Sequence, residues 1–341
     1  MDTLTFAKVR AVCFGDSITH NNTNGVLGCE FWPTASQGIL RDVYGIENTQ
    51  FRNLGASGNT STQCLNRIHS AFQWRDGGTE ERPILNVPDL ALVMIGVNDP
   101  GNAISTATTQ ANIEAIVRCL LNQVEGVAAT EASLPAVDQA QTLIPIGTRY
   151  WVVADGSTTG GIADASLPTL FGQPARVAGA IAAVKPSGAT TNGAVWIKRR
   201  HASGASGWAR IADDYTRGVK QVIVMSTQFL PTETPGSPDS ANATLRGAQS
   251  AAVTVSQAIS GIGSAKCRYL NHWQKFADDV TAGYIADMNA LVYTSGNQHY
   301  NAEGHRQIAV RVVEELAAAA VPGVSPTTYW PSYWVNLAPG V

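Results

Sequence analysis

At 341 residues the chain is long enough for one large domain or two ordinary ones, and 44% hydrophobic residues allow a sizeable core. Only 14% of residues are charged, against about 25% in an average chain, and the formal net charge is -3. This balance argues against a basic nucleic-acid groove and against attraction to an anionic membrane, so neither partner is expected.

In chain order, residues 8–14 (KVRAVCF) form a short apolar run that stops at Gly15, the pattern of a buried strand. Residues 33–44 have helical spacing. Residues 50–54 read as a second strand, followed by the glycine-rich turn Gly55-Ala56-Ser57-Gly58. Residues 89–95 (DLALVMI) are the cleanest buried strand and end at Gly96. A helix is predicted over 110–124, a strand over 220–226 (KQVIVMS) and an alanine-rich helix over 242–259. A short strand over 267–270 and a last helix over 301–320, with Asn301 as its N-cap, complete the pattern. Strands alternating with helices imply β-α-β units and a three-layer α/β/α parallel sheet, whose reactive groups collect beyond the carboxyl ends of the strands.

Two regions break the alternation. Residues 130–213 are rich in Gly, Thr, Ser and Ala and hold three strand-like pieces, 148–154, 194–200 and 208–212. They read as a small β-rich inserted domain, too long for an ordinary loop. It would serve as a lid, a glycan-contacting module, an assembly surface or plain decoration. The core is then discontinuous, 1–129 and 214–320. Residues 321–341 form an irregular tail with Tyr329, Trp330, Tyr333 and Trp334, suited to packing on the core, sugar stacking or subunit contact. The oligomeric state is left open.

Five widely spaced cysteines, with no C-x-x-C, suggest buried thiols rather than a disulfide framework or a zinc site, although one disulfide is compatible with them. The first residues show no basic segment followed by a long apolar run, and no run of about 18 apolar residues occurs anywhere. The expected location is therefore the cytoplasm, or outside the cell after release or on a virion.

Four short blocks carry chemistry. Gly15-Asp16-Ser17-Ile18-Thr19 follows the first strand, where a sharp turn can present the Ser17 hydroxyl. Residues 53–60 (NLGASGNT) end the second strand, and glycine there lets backbone N–H groups approach a ligand. Gly96-Val97-Asn98-Asp99 follows the best strand, and the Asn98 amide can donate to an oxyanion. Residues 299–305 (HYNAEGH) open the last helix. A serine hydroxyl is almost wholly protonated at neutral pH and needs a base with a pKa near 7, which His299 could supply. His20, His69, His201, His272 and His305 compete for that role.

In this order the four blocks resemble the SGNH (GDSL-type) hydrolases, named for Ser, Gly, Asn and His. The G-D-S-x-[ST] block is matched by residues 15–19. The glycine block is matched around Gly58, with Asn59-Thr60 where relatives often have Asp-Thr. The G-x-N-D block is matched by 96–99, and H-x-N-x-x-G by 299–304. The resemblance covers about 8–125 and 218–320. It implies a flavodoxin-like sheet, Ser17 as nucleophile, and His299 as general base. It further implies an oxyanion hole of the Ser17 and Gly58 N–H groups with the Asn98 amide, and neither cofactor nor metal.

One position departs from the pattern. The family usually carries Asp three residues before the histidine, where this chain has Gly296. A carbonyl near Ser295, the Asn297 side chain, or Asp287 or Asp279 would then orient the ring. The expected activity is hydrolysis of short-chain carboxylic esters, including O-acetyl groups on carbohydrate. The alternatives are a non-catalytic glycan-binding or phage or surface structural protein on a degenerate fold of this type, and acyl transfer to an alcohol at the same site. G-x-S-x-G, H-E-x-x-H, P-loop and G-x-G-x-x-G motifs are absent.

Overall fold

The computed structural model describes residues 8–20, 26, 28–68, 73–75, 81–83, 88–122, 126–130, 149–154, 194–200, 206–211, 218–227, 233, 235–258, 262–285, 291 and 299–318. Five strands form one parallel sheet: β1 (Lys8–Gly15), β2 (Asn48–Gly55), β5 (Leu90–Met94), β10 (Gln221–Met225) and β11 (Cys267–Leu270). Their order across the sheet is β11-β10-β5-β1-β2. Counting only these five, the order is 2-1-3-4-5 from the β2 edge, the flavodoxin-like winding. β5 is buried at all five positions, as a central strand covered on both faces must be.

The covering helices are α1 (Trp32–Asp42), α2 (Ser61–Asn66), α3 (Thr106–Asn122), α4 (Ser240–Gln257), α5 (His272–Thr281) and α6 (Ala302–Ala318). Period-two alternation along the strands splits the core into two layers. Val9, Ala11, Leu92 and Ile223 face Trp32, Leu40, Phe276 and Val312 from α1, α5 and α6. Val12, Val93 and Val224 face Ile116, Leu120 and Val253 from α3 and α4 on the other side. Cys13, Cys64, Cys119 and Cys267 lie buried in these layers as free thiols, while the free Cys29 is exposed. No helix among the described residues is long and apolar enough to cross a membrane.

The predicted elements of the sheet and its main helices all appear, with ends shifted by a few residues. Among the helices that were not anticipated are α2 and α5. α2 is only six residues long, too short for a periodic signal, and is held by a capping box between Thr60 and Gln63. α5 is capped by the Asn271 side chain, which accepts from the Gln274 N–H. The last helix begins as expected, with the Asn301 carboxamide accepting from the Gly304 N–H at 2.9 Å.

A second, four-stranded sheet runs β6 (Gly126–Thr130), β7 (Arg149–Ala154), β8 (Ala194–Arg200) and β9 (Ser206–Ile211). β6 and β7 are parallel and the other pairs antiparallel. The three strand-like pieces of the sequence all lie in it, and its edge strand begins at Gly126, ahead of residue 130. A short hairpin, β3 (Gln73–Arg75) with β4 (Glu81–Pro83), branches off between α2 and β5. The tail 321–341 lies outside the described residues.

Candidate active site

Three loops at the carboxyl ends of β1, β2 and β5 meet the start of α6. The first is a tight turn after β1. A Cβ on Gly15 would stand 2.0 Å from the Thr19 hydroxyl oxygen and 2.7 Å from the Met94 carbonyl oxygen, so this turn admits only glycine. The next residue, Asp16, is buried, and its carboxylate accepts the Ile18 N–H at 2.9 Å. Burial, with a smaller push from Asp99 and against the lowering effect of the Ile18 N–H and Arg67, raises this carboxyl to about 7. Ser17 sits at the end of this turn, 9% exposed.

His299 lies 282 residues further along the chain, yet its Nε2 is 2.8 Å from Ser17 Oγ. With the proton on Nδ1, Nε2 accepts from the serine hydroxyl. Burial holds the His299 pKa below its ordinary value, which favours the neutral ring. Two features of the 299–304 block secure this approach. The Asn301 N–H donates to the Leu291 carbonyl at 3.0 Å. Gly304 packs so closely that a Cβ would lie 2.2 Å from that same carbonyl oxygen.

The glycine block follows β2. Asn53 ties it to the nucleophile turn, donating to the Thr19 carbonyl at 2.5 Å and accepting from the Gly55 N–H at 2.8 Å. Gly58 has φ +73°, a left-handed conformation in which a side chain is strained. The Asn59 carbonyl then accepts one hydrogen of the Asn98 carboxamide at 3.0 Å. Since the amide nitrogen carries two hydrogens, one remains for another acceptor. Asp99, fully buried, accepts from the Ser61 N–H at 2.8 Å, the Ser61 hydroxyl at 2.5 Å and the Thr109 hydroxyl at 2.6 Å. It thereby pins the end of β5 to α2 and α3.

The structure thus brings together Ser17 and His299, and separately joins the Gly58 loop to Asn98. Ser295, Asn297 and Asp287 lie outside the described residues. Asp279 forms an ion pair with Arg311 on α6. Among the competing histidines, His305 is buried against Phe31 and Tyr300, and burial lowers its pKa to about 3. His272 Nδ1 pairs with the Ser226 hydroxyl at 2.9 Å, and burial also takes it to about 3. The His20 N–H donates to the Asp16 carbonyl. His69 and His201 lie outside the described residues. Among the described residues no cluster of His, Cys, Asp and Glu could hold a metal ion.

One participant was not anticipated. Arg67, the residue that closes α2, donates from Nη2 to the Gly15 carbonyl at 2.9 Å and from Nε to Asn59 Oδ1 at 2.6 Å. It also donates from Nη1 to the Leu54 carbonyl. The signal that could have found it is the capping box Thr60-x-x-Gln63, which forces a helical turn directly after Gly58-Asn59.

The described residues thus place a serine–histidine pair beyond the strand ends of a parallel, flavodoxin-like α/β sheet. Residues 13–156 match the model of the GDSL-like lipase/acylhydrolase family, a span containing the first three blocks. That segment is assigned to this family, the SGNH hydrolases. No curated protein matches the sequence. Among solved structures, the acetylxylan esterase Axe2 of Geobacillus stearothermophilus is 13% identical, with 95% of this chain and 100% of that chain covered and a TM-score of 0.46. The lipase/acylhydrolase of Enterococcus faecalis is 10% identical, with 94% and 100% covered and a TM-score of 0.46. A G-D-S-L family lipolytic protein of Veillonella parvula is 12% identical, with 89% and 96% covered and a TM-score of 0.42.

Proposed function

We propose that this GDSL-family hydrolase is a serine esterase that cleaves short-chain carboxylic esters through an acyl-enzyme on Ser17. The observation that carries the reading is the 2.8 Å contact between Ser17 Oγ and His299 Nε2, closed across almost the whole chain. As Ser17 Oγ attacks the ester carbonyl, its proton passes to His299 Nε2, and the carbonyl oxygen becomes an oxyanion. The Ser17 and Gly58 N–H groups and the second hydrogen of the Asn98 amide receive that charge. The C–O bond to the alcohol then breaks as His299 returns the proton to the leaving oxygen. Water, deprotonated by the same imidazole, attacks the acyl-enzyme and releases the acid and free Ser17.

Residues 130–213 are, in this reading, an inserted β-rich domain that contacts the alcohol part of the substrate. The aromatic residues of this segment, Tyr150, Trp151, Trp196 and Trp208, support a sugar, because flat rings stack on sugar rings. Tyr150 pairs with Trp196, and Trp208 pairs with Lys198, two residues from Trp196. An O-acetyl group on a glycan is the substrate class that joins these aromatic residues to the ester chemistry.

Gly296, at the position of the family's usual Asp, favours a second reading, a glycan-binding protein that has lost turnover. Hydrolysis of p-nitrophenyl acetate, butyrate and octanoate by wild type and Ser17→Ala decides between them. Activity that falls with chain length and vanishes in the variant is expected. Equal rates in both proteins, or no hydrolysis together with measurable glycan binding, would remove the esterase assignment.

A further inference from the structure

Arg67 belongs to none of the residues that give the family its name, and it touches neither Ser17 nor His299 through any bond described above. We propose that Arg67 is the positioning residue of the oxyanion hole. It clamps the turn before Ser17 to the Gly58–Asn59 loop, and so holds the two backbone donors at the spacing that a tetrahedral intermediate requires. The inference rests on the esterase reading.

The three acceptors of Arg67 come from two separate strand ends. Gly15 O belongs to the last residue of β1, two positions before the nucleophile. Leu54 O and Asn59 Oδ1 flank the turn that carries Gly58 at the end of β2. Asn59 in turn holds Asn98 through its carbonyl. One guanidinium therefore links the segments of all three oxyanion donors. β1 and β2 are adjacent and parallel, so ladder bonds align them only as far as Gly15 and Gly55. Beyond that point one backbone bond, from the Ala56 N–H to Gly15 O, joins the two turns. The Asn53 amide, donating to the Thr19 carbonyl, and the guanidinium supply further ties.

Only arginine satisfies this geometry. Its fork presents donors in fixed directions, whereas a lysine ammonium offers all its hydrogens from one atom and cannot span the three acceptors. The plane of the fork is steadied from below, with the guanidinium carbon 5.6 Å from the centroid of the Phe14 ring, within cation–π range. Asn59 completes the device. Its side-chain oxygen accepts from Nε at 2.6 Å while its carbonyl faces Asn98, so a shift of Arg67 moves both Gly58 and Asn98. A displacement of about 1 Å in a catalytic geometry can cost about 100-fold in rate.

The test compares wild type, Arg67→Lys and Arg67→Ala on p-nitrophenyl acetate, with folding checked by circular dichroism and by the urea midpoint. Both variants are expected to lose kcat, Arg67→Ala by about 100-fold, with KM nearly unchanged, because the lost geometry serves the transition state and not substrate binding. Millimolar guanidinium, added to Arg67→Ala, is expected to restore part of kcat and to leave Ser17→Ala inactive. A folded Arg67→Lys with wild-type kcat would overturn the proposal, as would a loss in Arg67→Ala that tracks only its unfolded fraction and ignores guanidinium. Amide hydrogen exchange over residues 52–60 reads the clamp without turnover, and is expected to be faster in Arg67→Lys than in wild type. If wild type itself fails to hydrolyse any ester, the esterase reading falls, and unchanged exchange in Arg67→Lys would then sink the clamp separately.

Discussion

Asn98→Ala isolates one oxyanion donor from the rest of the machinery. Asn98 Nδ2 has two hydrogens, and the bond to the Asn59 carbonyl at 3.0 Å uses one. Alanine removes the other from the oxyanion, a loss worth about 2.7–4 kcal/mol of transition-state stabilisation, or about 10²–10³ in kcat. The same change also deletes the Asn98–Asn59 bond. A single hydrogen bond contributes about 0.5–1.5 kcal/mol net, so the folded state should survive. The two effects separate in two assays. Steady-state kinetics on p-nitrophenyl acetate should show kcat falling with KM nearly constant, since the donor meets full charge only in the transition state. Urea denaturation should show a small drop in midpoint. A variant with intact kcat, or one that raises KM alone, would refute the placement of Asn98 in the oxyanion hole.

Two further outcomes follow from charge and burial. Burial lowers the His299 pKa, and only the neutral ring accepts the Ser17 proton. The value of kcat/KM should therefore be lost as pH falls and rise to a plateau with a midpoint below about 6.5, the ordinary histidine value. A midpoint above that value, read from a pH–rate profile, would contradict the environment described for the ring. Glu233 and Arg246 form a buried ion pair at 2.6 Å, with 0% and 6% of the side chains exposed, and the guanidinium lies 4.4 Å from the Trp273 ring centroid. Arg246→Ala leaves the Glu233 carboxylate buried without its cation, and should cost about 3–5 kcal/mol in urea unfolding. A loss below about 1 kcal/mol, typical of an exposed pair, would show that water reaches Glu233.

The elements that formed where their patterns placed them share a physical origin. β1, β5 and β10 are apolar runs cut off by Gly15, Gly96 or a polar residue, and a strand buried on both faces can have no other composition. The last helix announced itself through the Asn301 cap, a local device that needs no partner elsewhere. What escaped was short or defined by contact. α2 has too few residues for a periodic stripe, and α5 begins on His272, whose bond to the Ser226 hydroxyl just past β10 exists only in the assembled core.

The sequence by itself determined the parallel α/β architecture, the residue types of the four blocks and the glycine at position 15, because strand patterning and tight turns are local properties of the chain. Only the tertiary structure decided how closely His299 approaches Ser17, where Arg67 lands, and how Asn98 reaches Asn59. Those contacts join residues 39 to 282 positions apart. Such distances close only when the parallel sheet stacks its strand ends at one edge, and no local pattern encodes that.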